Sequence, residues 1–234
     1  MRNAAARNSY PADWYIEDDD PVPQSANHEE HETRLKSTLQ AWVARTGRDF
    51  FVGRELAFRW DEQVRGVGVD PDVFLVEEPP RDSHDDICSI RTWEPENHPP
   101  VLAIEIVSRH RPGKDYSQSP QKHDLLGTFE LWVFDPELYG HTPEQPSVRF
   151  QMFQRETNAR LVQTYAGEGP VYSEAIEAWV FIENDLIIIA DDAAGKHRWP
   201  TLEEEAQQRA DIQAKRANDE AKRANDEAKR ANDE

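Results

Sequence analysis

Pro99-Pro-Val-Leu-Ala-Ile-Glu-Ile-Val-Ser108 is the stretch on which the fold turns. Two prolines lead into an apolar run rich in Val and Ile, and a serine closes it. Such a run reads as a strand buried on both faces, as at the centre of a sheet covered on each side. Glu105 sits inside it. An ionised carboxylate there costs several kcal/mol unless a metal, a cation or hydrogen bonds compensate it. Glu105 therefore has a dedicated partner, such as a buried Arg or Lys in a structural bridge, or it is itself the partner of a metal.

Elements can be read outward from this strand. Upstream, Asn27 is a plausible N-cap for a helix from His28 to about Arg45. Its Leu35, Leu39, Trp42 and Val43 share one face, and Gly47 ends it. His31, near its start, reads as a cap or surface residue. Phe50 to Trp60 and Val67 to Val76 carry aromatic and β-branched strand signals. Residues 77–98 are charged and Pro-rich, which reads as a loop, as does 109–115. A short helix from Tyr116 or Pro120 to Leu126, closed by Gly127, leads to the apolar strand Glu130–Asp135. Residues 137–147 read as a loop. Strands are expected at Val148–Phe153 and Leu161–Tyr165, and at Trp179–Ile189 with a turn at Glu183-Asn-Asp185. Thr201, with Glu204 three residues on, opens a helix with a capping box. That helix runs into three copies of Ala-Lys-Arg-Ala-Asn-Asp-Glu between Ala214 and Glu234. Alanine at 3/4 spacing gives a coiled-coil period but buries little, so a solvated single helix is the expected state.

This divides the chain into a flexible N-terminal arm (1–27), a folded domain (28–200) and a charged heptad-repeat helical tail (201–234). The fold class is α/β with an α+β-like character: a central mixed sheet flanked by helices, a C-terminal β extension and a charged C-terminal helix. The single cysteine, Cys88, rules out an internal disulfide and fits a reducing, cytoplasmic setting. Residues 1–27 lack a signal-peptide pattern, and Leu186-Ile-Ile-Ile-Ala190 is too short to span a membrane. The chain has a net charge of −19, and the segment from Asp211 holds seven acidic and six basic residues, so the body carries −18. That argues against nonspecific nucleic-acid binding through a broad basic face. It does not exclude a site whose carboxylates gather Mg²⁺.

Three residues form the chemical constellation. Asp72 closes Val69-Asp-Pro-Asp72, Glu105 lies in the next buried strand, and Lys122 lies on the short helix beyond. Two carboxylates delivered by adjacent strands suit Mg²⁺ or Mn²⁺, hard ions that take oxygen ligands and keep several waters. Such an ion lowers the pKa of bound water, and a lysine beside it can orient the attacking water and stabilise phosphoryl charge. Each residue also has a structural reading: Asp72 as a turn or strand cap, Glu105 as a bridge, Lys122 as a solvated helix lysine. Asp135-Pro136 reads as a strand stop, and no glycine-rich phosphate loop is present.

Val69-Asp-Pro-Asp-Val-Phe-Leu-Val76, the Pro99–Ser108 stretch, Lys114-Asp-Tyr116 and Pro120-Gln-Lys-His-Asp-Leu-Leu-Gly-Thr-Phe-Glu-Leu-Trp-Val-Phe-Asp-Pro136 occur in this order. Together they resemble the Uma-two family of putative restriction endonucleases, in the PD-(D/E)xK nuclease superfamily, over roughly residues 28–190. The resemblance implies a restriction-endonuclease-like core and Mg²⁺- or Mn²⁺-dependent hydrolysis of DNA. It also implies that Asp72 and Glu105 bind the metal. Two residues after Glu105 the superfamily's lysine slot holds Val107. The family typically draws its lysine from the following helix, which points to Lys122 as the third catalytic residue. The tyrosine usual in that helix is His123 here, and the block usually reading Gly-Val-x-Glu-Tyr-Trp is Gly127-Thr-Phe-Glu-Leu-Trp132. A further acid is expected from the first helix or the strand after it, with Glu32 and Glu55 as candidates. The alternative function is a catalytically silent nuclease fold acting as a scaffold through its helical tail, which could also form a homodimer.

Overall fold

The computed structural model describes residues 10–16, 25–77, 89–110, 112–140, 146–157 and 160–232. Cys88, most of the proposed N-terminal arm and parts of the loops at 77–98 and 137–147 lie outside them.

Helix α1 (Ala26–Thr46) begins slightly earlier than its sequence signals suggest. Ser25 is the cap, its hydroxyl accepting the His28 N–H at 3.3 Å. Asn27 instead lies in the first turn and donates its amide to Glu137 Oε1 at 2.9 Å. Gly47 ends the helix in the left-handed region (φ 67°), where a residue without Cβ pays no steric penalty. The apolar face lies as the spacing requires, with Leu35, Leu39 and Trp42 buried. Trp42 is stacked between Phe50 and Trp199 at 5.7 and 5.2 Å.

The region expected as one strand from Phe50 to Trp60 is two: β1 (Phe50–Gly53) and β2 (Ala57–Arg59). Glu55, at φ 52°, makes the break between them. Only the end of the Val67–Val76 stretch joins the main sheet, as β3 (Val73–Glu77). Val67 and Val69 instead make isolated bridges to Tyr15 and Phe58. β4 (Ser89–Arg91), inside the expected 77–98 loop, pairs in parallel with β2.

β5 (Leu102–Ile106) is fully buried, as its composition requires. Helices α2 (Pro112–Ser117) and α3 (Ser119–Leu126) follow, so the expected 109–115 loop is already helical from Pro112. They carry the chain to β6 (Glu130–Phe134), which pairs in parallel with β5. A parallel pair needs a crossover of this kind. β7 (Phe150–Arg155) and β8 (Leu161–Gly167) complete a six-stranded mixed sheet of order β1-β3-β5-β6-β7-β8. β9 (Val171–Ser173), β10 (Ala178–Glu183) and β11 (Leu186–Ala190) form a second sheet, of which β9 has no clear sequence signal.

Period-2 alternation sorts the central strands into two faces. Leu102, Ile104, Ile106, Trp132 and Phe134 join the α1 core, which also takes Val180 and Ile189 from the small sheet. Ala103, Val107, Leu131 and Val133 face the other way, with Tyr116 of α2. Each buried Leu, Ile or Phe contributes roughly 1.5–3 kcal/mol of transfer free energy. Glu105 falls on the α2–α3 side. Glu130, at the start of β6, ties the sheets together. Its carboxylate accepts from Trp132 Nε1 (2.7 Å), Ser173 Oγ (2.5 Å), Gln154 Nε2 (3.0 Å) and the Glu174 N–H (3.0 Å).

Helix α4 (Leu202–Asn232) opens with the expected capping box. Glu204 N–H donates to Thr201 Oγ1 at 3.2 Å and Thr201 N–H donates to Glu204 Oε2 at 2.8 Å. Beyond its first turns, the described side chains of α4 are exposed on every side.

Candidate active site

The candidate residues gather where β5 ends, β3 begins and α1 and α2 start. Asp72 immediately precedes β3. Its Oδ2 accepts the Ile106 N–H at 2.5 Å, tying β3 to the end of β5. Its Oδ1 lies 3.3 Å from His28 Nε2 in the first turn of α1. His28 also meets Glu32 Oε1, one turn further on, at 3.3 Å. Glu32 Oε2 lies 3.6 Å from Arg54. Burial alone would lower the His28 pKa, but the hydrogen bonds and charges of Asp72 and Glu32 outweigh it and raise it to about 10. Asp72 is pushed up to about 6 by burial and by the Glu105 charge, against the lowering effect of its hydrogen bonds from His28 and Ile106.

Glu105 is 2% exposed and meets His123 Nε2 at 3.1 Å. The other imidazole nitrogen, Nδ1, lies 2.8 Å from Thr128 Oγ1. An ionised carboxylate only accepts, which puts the proton on Nε2. Burial pushes Glu105 upward, but the hydrogen bond from His123 and the charges of Lys114 and Lys122 reverse this and hold it below its usual range. Asp115 of α2 is 4% exposed, and burial followed by the Glu105 charge raises it to about 8. Ser119 Oγ donates to Asp115 Oδ1 at 3.3 Å, and Lys114 Nζ lies 3.8 Å from the same oxygen. Asp70 is raised as well, by burial and then by the charges of Glu105 and Asp72.

Lys122 of α3 is 3% exposed, and its Nζ lies 5.8 Å from the centre of the Trp14 ring. Burial and the neighbouring Lys114 charge lower it to about 8, against the pull of Glu105. Trp14 belongs to residues 10–16 of the expected N-terminal arm, and these pack against the domain. Tyr15 bridges Val67, and Trp14 stacks with Tyr10 at 5.9 Å. Gln118, between α2 and α3, donates to Asp13 at 2.6 Å.

Asp72 and Glu105, the two expected metal ligands, thus lie in one electrostatic cluster. Of the two further acids, Glu32 belongs with Asp72 through His28. Glu55 is half exposed and lies 3.9 Å from Arg54 Nε. Lys122 is buried beside the cluster rather than solvated. Sequence reasoning missed His28, Asp70, Lys114 and Asp115. Signals existed for three of them: His28–Glu32 has helical i,i+4 spacing, Asp70 shares a short turn with Asp72, and Lys114 neighbours Asp115. His31, read as a cap or surface residue, is 6% exposed and packs edge-on against Phe134 at 5.2 Å.

The residues present suit a divalent cation. His28, Glu32 and Asp72 each offer a ligand atom, all within 4.8 Å of one another. Burial first, and then the Glu105 charge, raises the nearby carboxylates Asp70, Asp72 and Asp115, and a bound cation would favour their ionised forms. A set of carboxylates with one imidazole is compatible with Mg²⁺ or, better, Mn²⁺.

No curated protein matches this chain. Among solved structures, a putative nuclease from Anabaena variabilis ATCC 29413 is similar, with 17% identity and a TM-score of 0.45. The alignment covers 67% of this chain and 76% of that one. Among the described residues, no helix is long and apolar enough to cross a membrane. The model of the Uma2 family, described as putative restriction endonuclease, matches residues 18–181. With that match spanning well over half of its length, the chain belongs to the Uma2 family of putative restriction endonucleases.

Proposed function

We propose that this protein is a Mg²⁺- or Mn²⁺-dependent endonuclease that hydrolyses DNA phosphodiester bonds. The observation that carries the reading is the convergence of Asp72, Glu105, Asp70 and Asp115 with two lysines at one end of the central sheet, in a chain of a nuclease family. Asp72 and Glu105 would hold the ion, with Glu32 and His28 beside Asp72. Glu55 stands at the rim. The ion, when bound, supplies a Lewis acid and an activated water.

The chain's own groups have distinct parts. His123, fixed by Thr128, orients Glu105. The Ile106 N–H and His28 orient Asp72. A lysine of the α2–α3 pair faces the negative charge that develops on the phosphoryl oxygens. The exposed heptad helix and the charge of −19 favour a second reading, a catalytically silent nuclease fold that acts as a scaffold through its tail.

Supercoiled plasmid incubated with Mn²⁺ or Mg²⁺ separates the two. Wild type should nick it, and Glu105→Gln, which keeps shape and removes charge, should lose the activity while still melting cooperatively. Absence of nicking by folded wild type on DNA and on RNA would leave the scaffold reading.

A further inference from the structure

Two lysines reach the carboxylate cluster, and their surroundings differ. Lys114 lies near the start of α2 with 38% of its side chain exposed, while its Nζ sits 3.8 Å from Asp115 Oδ1. The other charges facing it are Glu105, Asp72 and Asp70. It therefore touches the cluster and is open to solvent at once, which is what a group meeting an incoming phosphate needs. Lys122 is 3% exposed, and its ammonium is occupied by the Trp14 ring. That ring cannot easily move. Trp14 is itself 6% exposed. Its carbonyl accepts the Gly68 N–H at 3.1 Å, and the next turn of chain is pinned by the Ile16 N–H donating to Gly66 O at 3.0 Å.

We infer that Lys114, not Lys122, is the catalytic lysine of this site, placing its charge on the scissile phosphate from the open side of the carboxylate cluster. This rests on the nuclease reading and departs from the lysine that the sequence resemblance pointed to. Lys122 acts as the anchor on which residues 10–16 are seated. The physical need is plain: Asp70, Asp72, Glu105 and Asp115 repel a phosphodiester, and Lys114 is the cation that faces all four.

The test compares full-length Lys114→Met, Lys114→Arg and Lys122→Met by plasmid nicking with Mn²⁺, by calorimetric Mn²⁺ titration and by thermal melting. Lys114→Met should lose about 100-fold or more in cleavage rate, the scale seen when one preorganised charge-stabilising donor is removed. It should bind Mn²⁺ at least as tightly as wild type, because a positive charge beside the ligands has gone. Lys114→Arg should recover part of the rate, since Arg restores the charge with a different shape. Lys122→Met should lose stability first and rate by a smaller factor. The inference is overturned if Lys114→Met cleaves within threefold of wild type, or if it is folded but no longer binds Mn²⁺. It is overturned too if folded Lys122→Met loses rate as deeply as Lys114→Met. A wild type that cleaves while Lys114→Met is unimpaired refutes the lysine assignment alone. A wild type that binds Mn²⁺ and cleaves nothing refutes the nuclease reading and this inference with it.

Discussion

In the metal-free protein, stability should fall as the pH rises from 6 to 9. Asp115 and Asp72 are raised to about 8 and about 6, so the native state keeps protons that the unfolded chain has already released. Their contribution is complete below about pH 4, the unfolded carboxyl value. It disappears as the pH climbs through about 6 for Asp72 and about 8 for Asp115. His28 has the same sign: raised to about 10, its contribution is complete below the unfolded imidazole value and is lost on the way to about 10. Each proton held by the native state alone gives a slope of roughly 1.4 kcal/mol per pH unit. Partial occupancy and solvent screening reduce the combined loss between pH 6.5 and 8 to about 1–3 kcal/mol. For a chain of this length that is a fall in Tm of roughly 3–10 °C. The assay is calorimetric melting in EDTA at constant ionic strength, for wild type and Asp115→Asn, which should show a shallower slope, with Asp70 and His28 still contributing. Mn²⁺ at a hundredfold excess over its Kd should add about 2.7 kcal/mol, and more at pH 8 than at pH 6, because ligands must lose their protons to bind it. A melting temperature that stays level or rises between pH 6.5 and 8 in EDTA would refute the reasoning. So would an Asp115→Asn slope equal to that of wild type.

Three other outcomes are expected. Trp14→Ala should cost about 3–4 kcal/mol in urea unfolding and expose residues 10–16 to limited proteolysis, because it removes a large buried side chain and the seat of Lys122. Glu130→Ala should cost about 3–5 kcal/mol by leaving several buried donors without an acceptor, whereas Glu130→Gln should cost clearly less; equal losses would mean that the carboxylate's hydrogen bonds are not what matters. Ending the chain after Ala210 should shift unfolding by no more than about 0.5 kcal/mol, since the described side chains it removes are exposed. A change in sedimentation on that deletion would instead reveal self-association through the tail.

The buried strand was legible because its composition has one physical reading. A run of Val, Ile and Leu broken by a single carboxylate states both that both faces are covered and that the charge has partners. The capping box at Thr201 was equally plain, because it depends on two side chains three residues apart. Where tertiary contacts decide, the sequence was less informative. Val67 and Val69 look like strand residues, yet they face the packed 10–16 segment and β2 rather than the main sheet. Residues 10–16 read as an extension of an acidic, Pro-rich arm, and what holds them down is the ring cluster of Tyr10, Trp14 and Trp60 together with backbone bonds to Gly66 and Gly68, contacts made only in the folded chain. In the site, Asp72 and Glu105 stood out by position. The approach of Lys114 to their cluster did not, because a lysine's reach is set by how α2 and α3 cross the sheet, and Lys114 sat in what read as a loop. His28 was passed over because Asp72, its partner besides Glu32 one turn along the same helix, meets α1 only in the folded chain.

The heptad helix has a geometric consequence. Seven residues of α-helix advance about 10 Å and leave the next repeat turned back by only about 20°. Inserting or deleting one Ala-Lys-Arg-Ala-Asn-Asp-Glu unit would therefore move whatever the far end carries in or out by a fixed step while hardly changing the direction in which it faces. The repeat unit acts as the graduation on a ruler, with Thr201 and its cap as the zero mark.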